Sequence, residues 1–273
     1  GPRSPPRPGL TLRRHRLVDI TLDDLVANAT MEPWVAALLR AAVRAHCNVV
    51  VTGGMNAGKT TLVRALANEI DRAEKLVVVE KDYELALDQL THRHDQVITL
   101  ESRDANSEGA GEVTMSSLVT HGLRMNARRL IVGEVLGDEV IPMLKAMSSG
   151  STGSLCTIHC RTPEVVFNRI GVLALSAAER LPFDAAHALT ADAVDLVVHL
   201  DLFDQQDLDR TLRRRVTRIV EVVGLRADGR VDHVPVVSAE EHEPARLVGL
   251  PRRLPKLRRA GLDLSLLPSR EVA

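Results

Sequence analysis

Aromatic residues make up only 2% of the 273-residue sequence: Trp34, Tyr83, Phe167, Phe183 and Phe203. So few rings cannot build the stacking platforms that hold single-stranded nucleic acid. Cysteine is scarce as well. Cys47, Cys156 and Cys160 are an odd number and form no disulfide framework, which suits a reducing compartment such as the cytosol. No apolar run approaches the ~18 residues of a membrane-spanning helix, and residues 1–10 lack the apolar centre of a signal peptide. Neither sign of charge is in excess: 35 Lys and Arg against 36 Asp and Glu leave a net charge of −1. Contact with nucleic acid or anionic lipid must therefore be local.

What is present is ordinary for a folded protein: 45% apolar and 26% charged residues, in a chain long enough for one large α/β domain. Residues 1–20 read as a basic, Pro-rich linker and remnant of an N-terminal domain, 21–240 as the main domain, and 241–273 as a charged tail or short helix. Thr21 and Asp24 have capping-box spacing, and Pro33 suits the first turn of a second helix. From Asn48 onward, short β-branched runs alternate with helical periods, the pattern of a parallel sheet covered on both faces. Strands are expected near 48–52, 76–80, 96–100, 129–133 and 154–159, with helices near 58–70, 114–125, 138–148, 163–176 and 184–192. A half-buried strand over 194–202, a polar loop near 203–213, and a hairpin of 216–223 and 231–237 turning at Asp228-Gly229 supply antiparallel edge strands.

The run Gly53-Gly54-Met55-Asn56-Ala57-Gly58-Lys59-Thr60-Thr61 matches the phosphate-binding loop G-x-x-x-x-G-K-[ST], with a strand before it and a helix after it. Its glycines let successive N–H groups face phosphate oxygens at a helix N-terminus. Lys59 would bridge the β- and γ-phosphates of ATP, and the Thr60 hydroxyl would ligate Mg²⁺. The strand Arg129-Leu130-Ile131-Val132 delivers Gly133 and Glu134 at its C-terminal end, where ligands bind in open α/β sheets. Glu134 reads as the residue that orients the attacking water. A second acidic group, Glu80 with Asp82 and Glu84, ends the 76–80 strand, and Glu80 would help hold Mg²⁺, partly through water.

These motifs resemble the type II/type IV secretion and pilus-assembly ATPases, in particular the tight-adherence pilus branch. The resemblance covers roughly residues 11–240. The Walker A loop is 53–61, the acidic box 80–85 and the Walker B strand 130–134. The His box is Gly153-Ser154-Leu155-Cys156-Thr157-Ile158-His159, and residues 108–115 with Leu123-Arg124-Met125 are similar to the tight-adherence branch. The resemblance implies a RecA-like P-loop core, a homo-hexamer, and ATP-driven force on an inner-membrane platform protein from the cytoplasmic face. It also implies that His159 senses the γ-phosphate, that Arg124 joins the nucleotide cluster, and that a longer N-terminal region precedes the motor, of which residues 11–20 match the last piece.

Several positions depart from the family pattern. Lys81 stands where the family has Asp, Leu136 and Asn126 stand where it has Arg, and Ser151-Thr152 replace a His-Asp pair. The source of positive charge for the transition state is left open among Arg124, Arg128 and Arg129, the last two reading first as a solvated helix end. Cys156, His159 and Cys160 do not share one face of a strand, so they read as buried thiols beside a site-facing histidine rather than as a metal site. His92 and His94 read as solvated loop residues. Residues Arg252 to Arg259 read as a solvated basic face, with peripheral contact to acidic lipid as the alternative. At the level of function, a motor, a catalytically weak ATP-binding ring subunit and a nucleic-acid translocase all remain; the near-zero charge and scarce aromatics count against the last.

Overall fold

The computed structural model describes residues 19–204 and 212–268. Residues 1–18, including most of the matched segment 11–20, lie outside the described residues, as do 205–211 and 269–273. Two helices open the fold, α1 (Leu22–Ala27) and α2 (Pro33–Arg44). Thr21 accepts from the Asp24 amide at 3.1 Å while the Asp24 carboxylate accepts from the Thr21 amide at 2.8 Å, the expected capping box. The wound core follows as β1 (Val49–Gly53), α3 (Lys59–Ala67), β2 (Lys75–Glu80), β3 (Gln96–Glu101), α4 (Met115–Leu123), β4 (Arg129–Val132), α5 (Val140–Ser148), β5 (Leu155–His159), α6 (Val165–Ser176), α7 (Phe183–Ala193) and β6 (Leu196–Asp204). The chain ends in β7 (Leu212–Leu225), β8 (Val231–Ser238), the two-residue β9 (Arg246–Leu247) and α8 (Leu254–Arg259).

Among the described residues the nine strands form one sheet in the order β3-β2-β4-β5-β1-β6-β7-β8-β9. The first six run parallel, and β7, β8 and β9 continue antiparallel. Side chains alternate between the two faces of each strand, and each face has its own core. Val49, Val51, Leu76 and Val78 pack with α1, α2 and α3, whereas Val50, Val77 and Val79 pack with α4 to α7. This is the mostly parallel α/β architecture with antiparallel edge strands that the sequence pattern predicts.

Because the six strands run parallel, their carboxyl ends lie along one edge. That edge collects Gly53, Glu80, His159 and the turn after β4. Arg129 opens β4 at the opposite edge. It is buried and makes two 2.8 Å bonds to the Glu74 carboxylate, and its Nη1 donates to the Val43 and Gly153 carbonyls at 2.8 and 3.3 Å. Arg129 is therefore a structural tie of the amino edge, not a solvated helix end or a source of charge for the phosphates. Gly153 serves this tie, since a Cβ there would stand 2.4 Å from Arg129 Nη1.

Two further readings change. His94 is buried, with both ring nitrogens unpartnered, whereas His92 is exposed and meets Asp19. The basic stretch after residue 250 is also less free than its composition suggests. Arg253 lies 2.7 Å from Asp195 and 3.0 Å from Glu221, and the fully buried Glu221 also accepts the Arg252 and Arg253 amides. Leu257 and Leu262 sink into the core behind it, leaving Arg252, Arg258 and Arg259 exposed. An ion pair this enclosed is hard to read as periodicity, because its partners are distant in sequence.

Candidate functional site

The turn between β1 and α3 is built by close backbone approach. At Gly53 a Cβ would stand 2.5 Å from the Leu200 carbonyl oxygen, so only glycine lets β1 pass β6 here. Gly58 takes φ +96 as N-cap of α3 and offers no side-chain cap, leaving the first amides of the helix for an anion. Asn56 adopts φ +59, and Gly54, Met55 and Asn56 are exposed while Ala57 is buried beneath them. Thr60 and Thr61 follow, half-buried, on the first turn of α3.

Lys59 points back into the turn. Its Nζ donates to the Gly54 and Gly53 carbonyls at 2.8 and 3.3 Å and lies 3.1 Å from His159 Nδ1. Burial lowers the amine's pKa, with Glu134 opposing the shift. His159 Nε2 in turn meets Glu134 Oε1 at 2.7 Å. Burial first, and Lys59 second, hold this imidazole below the ordinary histidine value, so the neutral form prevails at pH 7. Its two partners set the tautomer: Nε2–H donates to the carboxylate, and Nδ1 accepts from the ammonium. The Walker A loop, Walker B strand and His box thus meet in a single amine–imidazole–carboxylate chain.

The acidic box lies beside this chain. Glu80 Oε1 accepts from the Leu85 and Glu84 amides at 2.8 and 3.2 Å, whereas Oε2 is buried without a partner. Burial pushes this carboxyl up to about 7, against the backbone bonds that lower it. Gly133 makes room for it, since a Cβ there would stand 3.0 Å from Glu80 Cγ. Thr157 Oγ1 donates to the Gly133 carbonyl at 2.7 Å and fixes the turn that carries Glu134. Glu84, rather than Glu80, contacts the loop: its Oε2 accepts from Thr60 Oγ1 at 3.3 Å. The set around Thr60 is oxygen only, which suits a hard cation such as Mg²⁺. Among the described residues no group of three or more His, Cys, Asp or Glu could hold a metal alone. Such an ion would therefore complete its shell from substrate oxygens and water.

These residues line a cleft of 1210 Å³ that extends from Glu80 and Glu134, across the phosphate loop, to the α1–α2 turn and the start of β7. The cationic side chains over the loop come from an unforeseen place. Arg214 on β7 donates from Nε to the Asn56 carbonyl at 2.9 Å. Arg215 is tied to the Glu240 and Glu241 carbonyls and to the Glu32 carboxylate. The only sequence signal is the run Arg213-Arg214-Arg215, at the end of the segment expected as loop and just before the strand expected from 216. A line from the buried Thr52 Oγ1 to the buried His199 Nδ1 at 2.8 Å, and on to the half-exposed Asp201, has no local sequence signal either. Arg124 does not join the site. It caps the C-terminus of α4, exposed, at the amino edge of the sheet, and neither it nor Arg128 borders the cleft.

Comparison with known proteins gives a consistent result. The family model described as "Type II/IV secretion system protein" matches residues 6–240. A Mycobacterium tuberculosis protein whose name connects it with conjugal transfer is 38% identical, over 85% of this chain and 61% of its own length. The type IV secretion system protein PtlH of Bordetella pertussis is 30% identical, over 69% of this chain and 55% of its own. The chain thus spans about three fifths or less of these two relatives. Among solved structures, the VirB11 ATPase from the Brucella suis type IV secretion system, in complex with sulphate, superposes with a TM-score of 0.56 at 25% identity, covering 76% of this chain and 64% of that one. The pilus retraction motor PilT with bound ADP, at TM-score 0.54 and 14% identity, supports the fold alone.

Proposed function

The chain belongs to the type II/IV secretion system protein family, and on that premise we propose that it is the ATP-hydrolysing motor domain of such a system. The carrying observation is the Lys59–His159–Glu134 chain at the lip of a phosphate loop. Lys59 has three donors, all turned to groups that a triphosphate replaces: two loop carbonyls and one imidazole. When ATP binds, Lys59 turns to its phosphate oxygens and releases His159 Nδ1 from the ammonium. His159 keeps Glu134 through Nε2 and so couples phosphate occupancy to the carboxylate that orients water. Water attacks the γ-phosphorus, the bond to the β-bridging oxygen breaks, and ADP and phosphate leave; Glu134 takes the water's proton. Thr60, with Glu84 and Glu80 behind it, would hold the Mg²⁺ that accompanies ATP, which would neutralise phosphate charge.

The finer reading, carried by the family resemblance, is a homo-hexamer that acts on an inner-membrane platform from the cytoplasmic face. Arg124 lies at the far edge of the sheet, so any part it plays at a nucleotide would be at a neighbouring copy's. The relatives' names point toward conjugal transfer and type IV secretion more than toward the tight-adherence pilus. Glu134→Gln tests the chemistry: ATP affinity should stay within about threefold of wild type while turnover falls at least ~100-fold. Undiminished turnover would remove Glu134 from the reaction.

A further inference from the structure

We propose that Arg214 is a second phosphate-binding cation of the nucleotide site, delivered in cis by the antiparallel strand β7. The inference rests on the ATP reading above and adds a residue to it. β7 pairs with β6 so that Arg214 stands opposite Leu202, where the hairpin arm rises over the phosphate loop. The stem of Arg214 covers the loop's last glycine: a Cβ on Gly58 would lie 3.1 Å from Arg214 Cδ. Its Nε donates to the carbonyl of Asn56, the left-handed residue at the loop's apex. These two contacts fix the guanidinium over the cradle and use only one of its five N–H donors.

Its neighbour shows what a structural arginine on this strand does. Arg215 is committed to two carbonyls and a carboxylate. Arg214 has no ion pair among the described residues, and it borders the same cleft as Lys59. A planar cation held at Nε, with no further hydrogen bond among the described residues and at the border of the cleft, is suited to bind phosphate oxygens in a bidentate manner. The loop lysine is a point charge, and the guanidinium adds orientation.

The test exploits chain geometry. Glutamine places its amide nitrogen where arginine has Nε, so Arg214→Gln can keep the bond to Asn56 and the stem over Gly58 while losing the charged fork. Arg214→Lys keeps charge and loses the fixed donor. ATP and ADP affinities of the full chain are measured by calorimetry for wild type, both variants and Lys59→Ala, with thermal melting as the check on folding. We expect Arg214→Gln to melt like wild type and to weaken ATP and ADP about tenfold or more, with Arg214→Lys in between. If Arg214→Gln binds ATP as tightly as wild type while Lys59→Ala loses it, Arg214 is only a clip on the loop and this inference falls alone. If Lys59→Ala binds as wild type does, or wild type binds no ATP, the ATP reading falls and takes this inference with it.

Discussion

The imidazole of His159 stands between Lys59 and Glu134, 3.1 Å from the amine and 2.7 Å from the carboxylate. Lys59 opens α3 after β1, Glu134 follows β4 and His159 ends β5, so the contact exists only because β4, β5 and β1 are neighbours with their carboxyl ends aligned. An imidazole so placed can pass a change at Lys59 to Glu134 without any backbone motion.

His159→Gln should therefore leave ATP affinity nearly unchanged and reduce turnover by ~100-fold. The wild-type profile of kcat/KM should fall on the acid side with a midpoint below the ordinary histidine value of 6.5. Below it His159 gains a proton, loses its acceptor nitrogen and repels Lys59. In His159→Gln this acid limb should vanish; a limb that persists assigns it to another group.

Glu80 yields a prediction about stability. Its carboxyl rises from the ordinary 4.5 to about 7 in the folded chain. A raised folded value means stability that is complete below pH 4.5 and lost as pH rises through 7, about 3 kcal/mol in all. Glu80→Gln removes this loss. Denaturant midpoints should match wild type near pH 4 and exceed it at pH 8. Equal midpoints at both pH values would show that Glu80 is not protonated by its burial.

Arg129 is the opposite case, a charge that serves the fold. Arg129→Ala strands the Glu74 carboxylate and frees two carbonyls at the amino edge. The expected cost is about 3–5 kcal/mol of unfolding free energy. ATP affinity per folded molecule should not change. A stable variant with weakened ATP binding would return Arg129 to the nucleotide site.

Most of the sheet was legible because its signals are local. A continuous β-branched run at Val49, Val50 and Val51, a capping box at Thr21 and Asp24, and a Gly-Lys-Thr turn after a strand each lie within a few residues. The residues of the central chain were equally legible, since Lys59, Glu134 and His159 all fall in motifs. What escaped was set by long-range pairing. Arg214 reaches the loop only through the β6–β7 register, and Arg253 meets Asp195 and Glu221 only after the sheet has closed. The charge of Arg129 pointed to a surface, whereas its burial depends on Glu74 across 55 positions.

The most direct test of the central claim is steady-state ATP hydrolysis with Mg²⁺ across a wide range of protein concentration, with Lys59→Ala as the blank. The account predicts turnover above the blank, with specific activity rising cooperatively as copies assemble. Hydrolysis no greater than that of Lys59→Ala at every concentration, despite ATP binding by the wild-type chain, would contradict it.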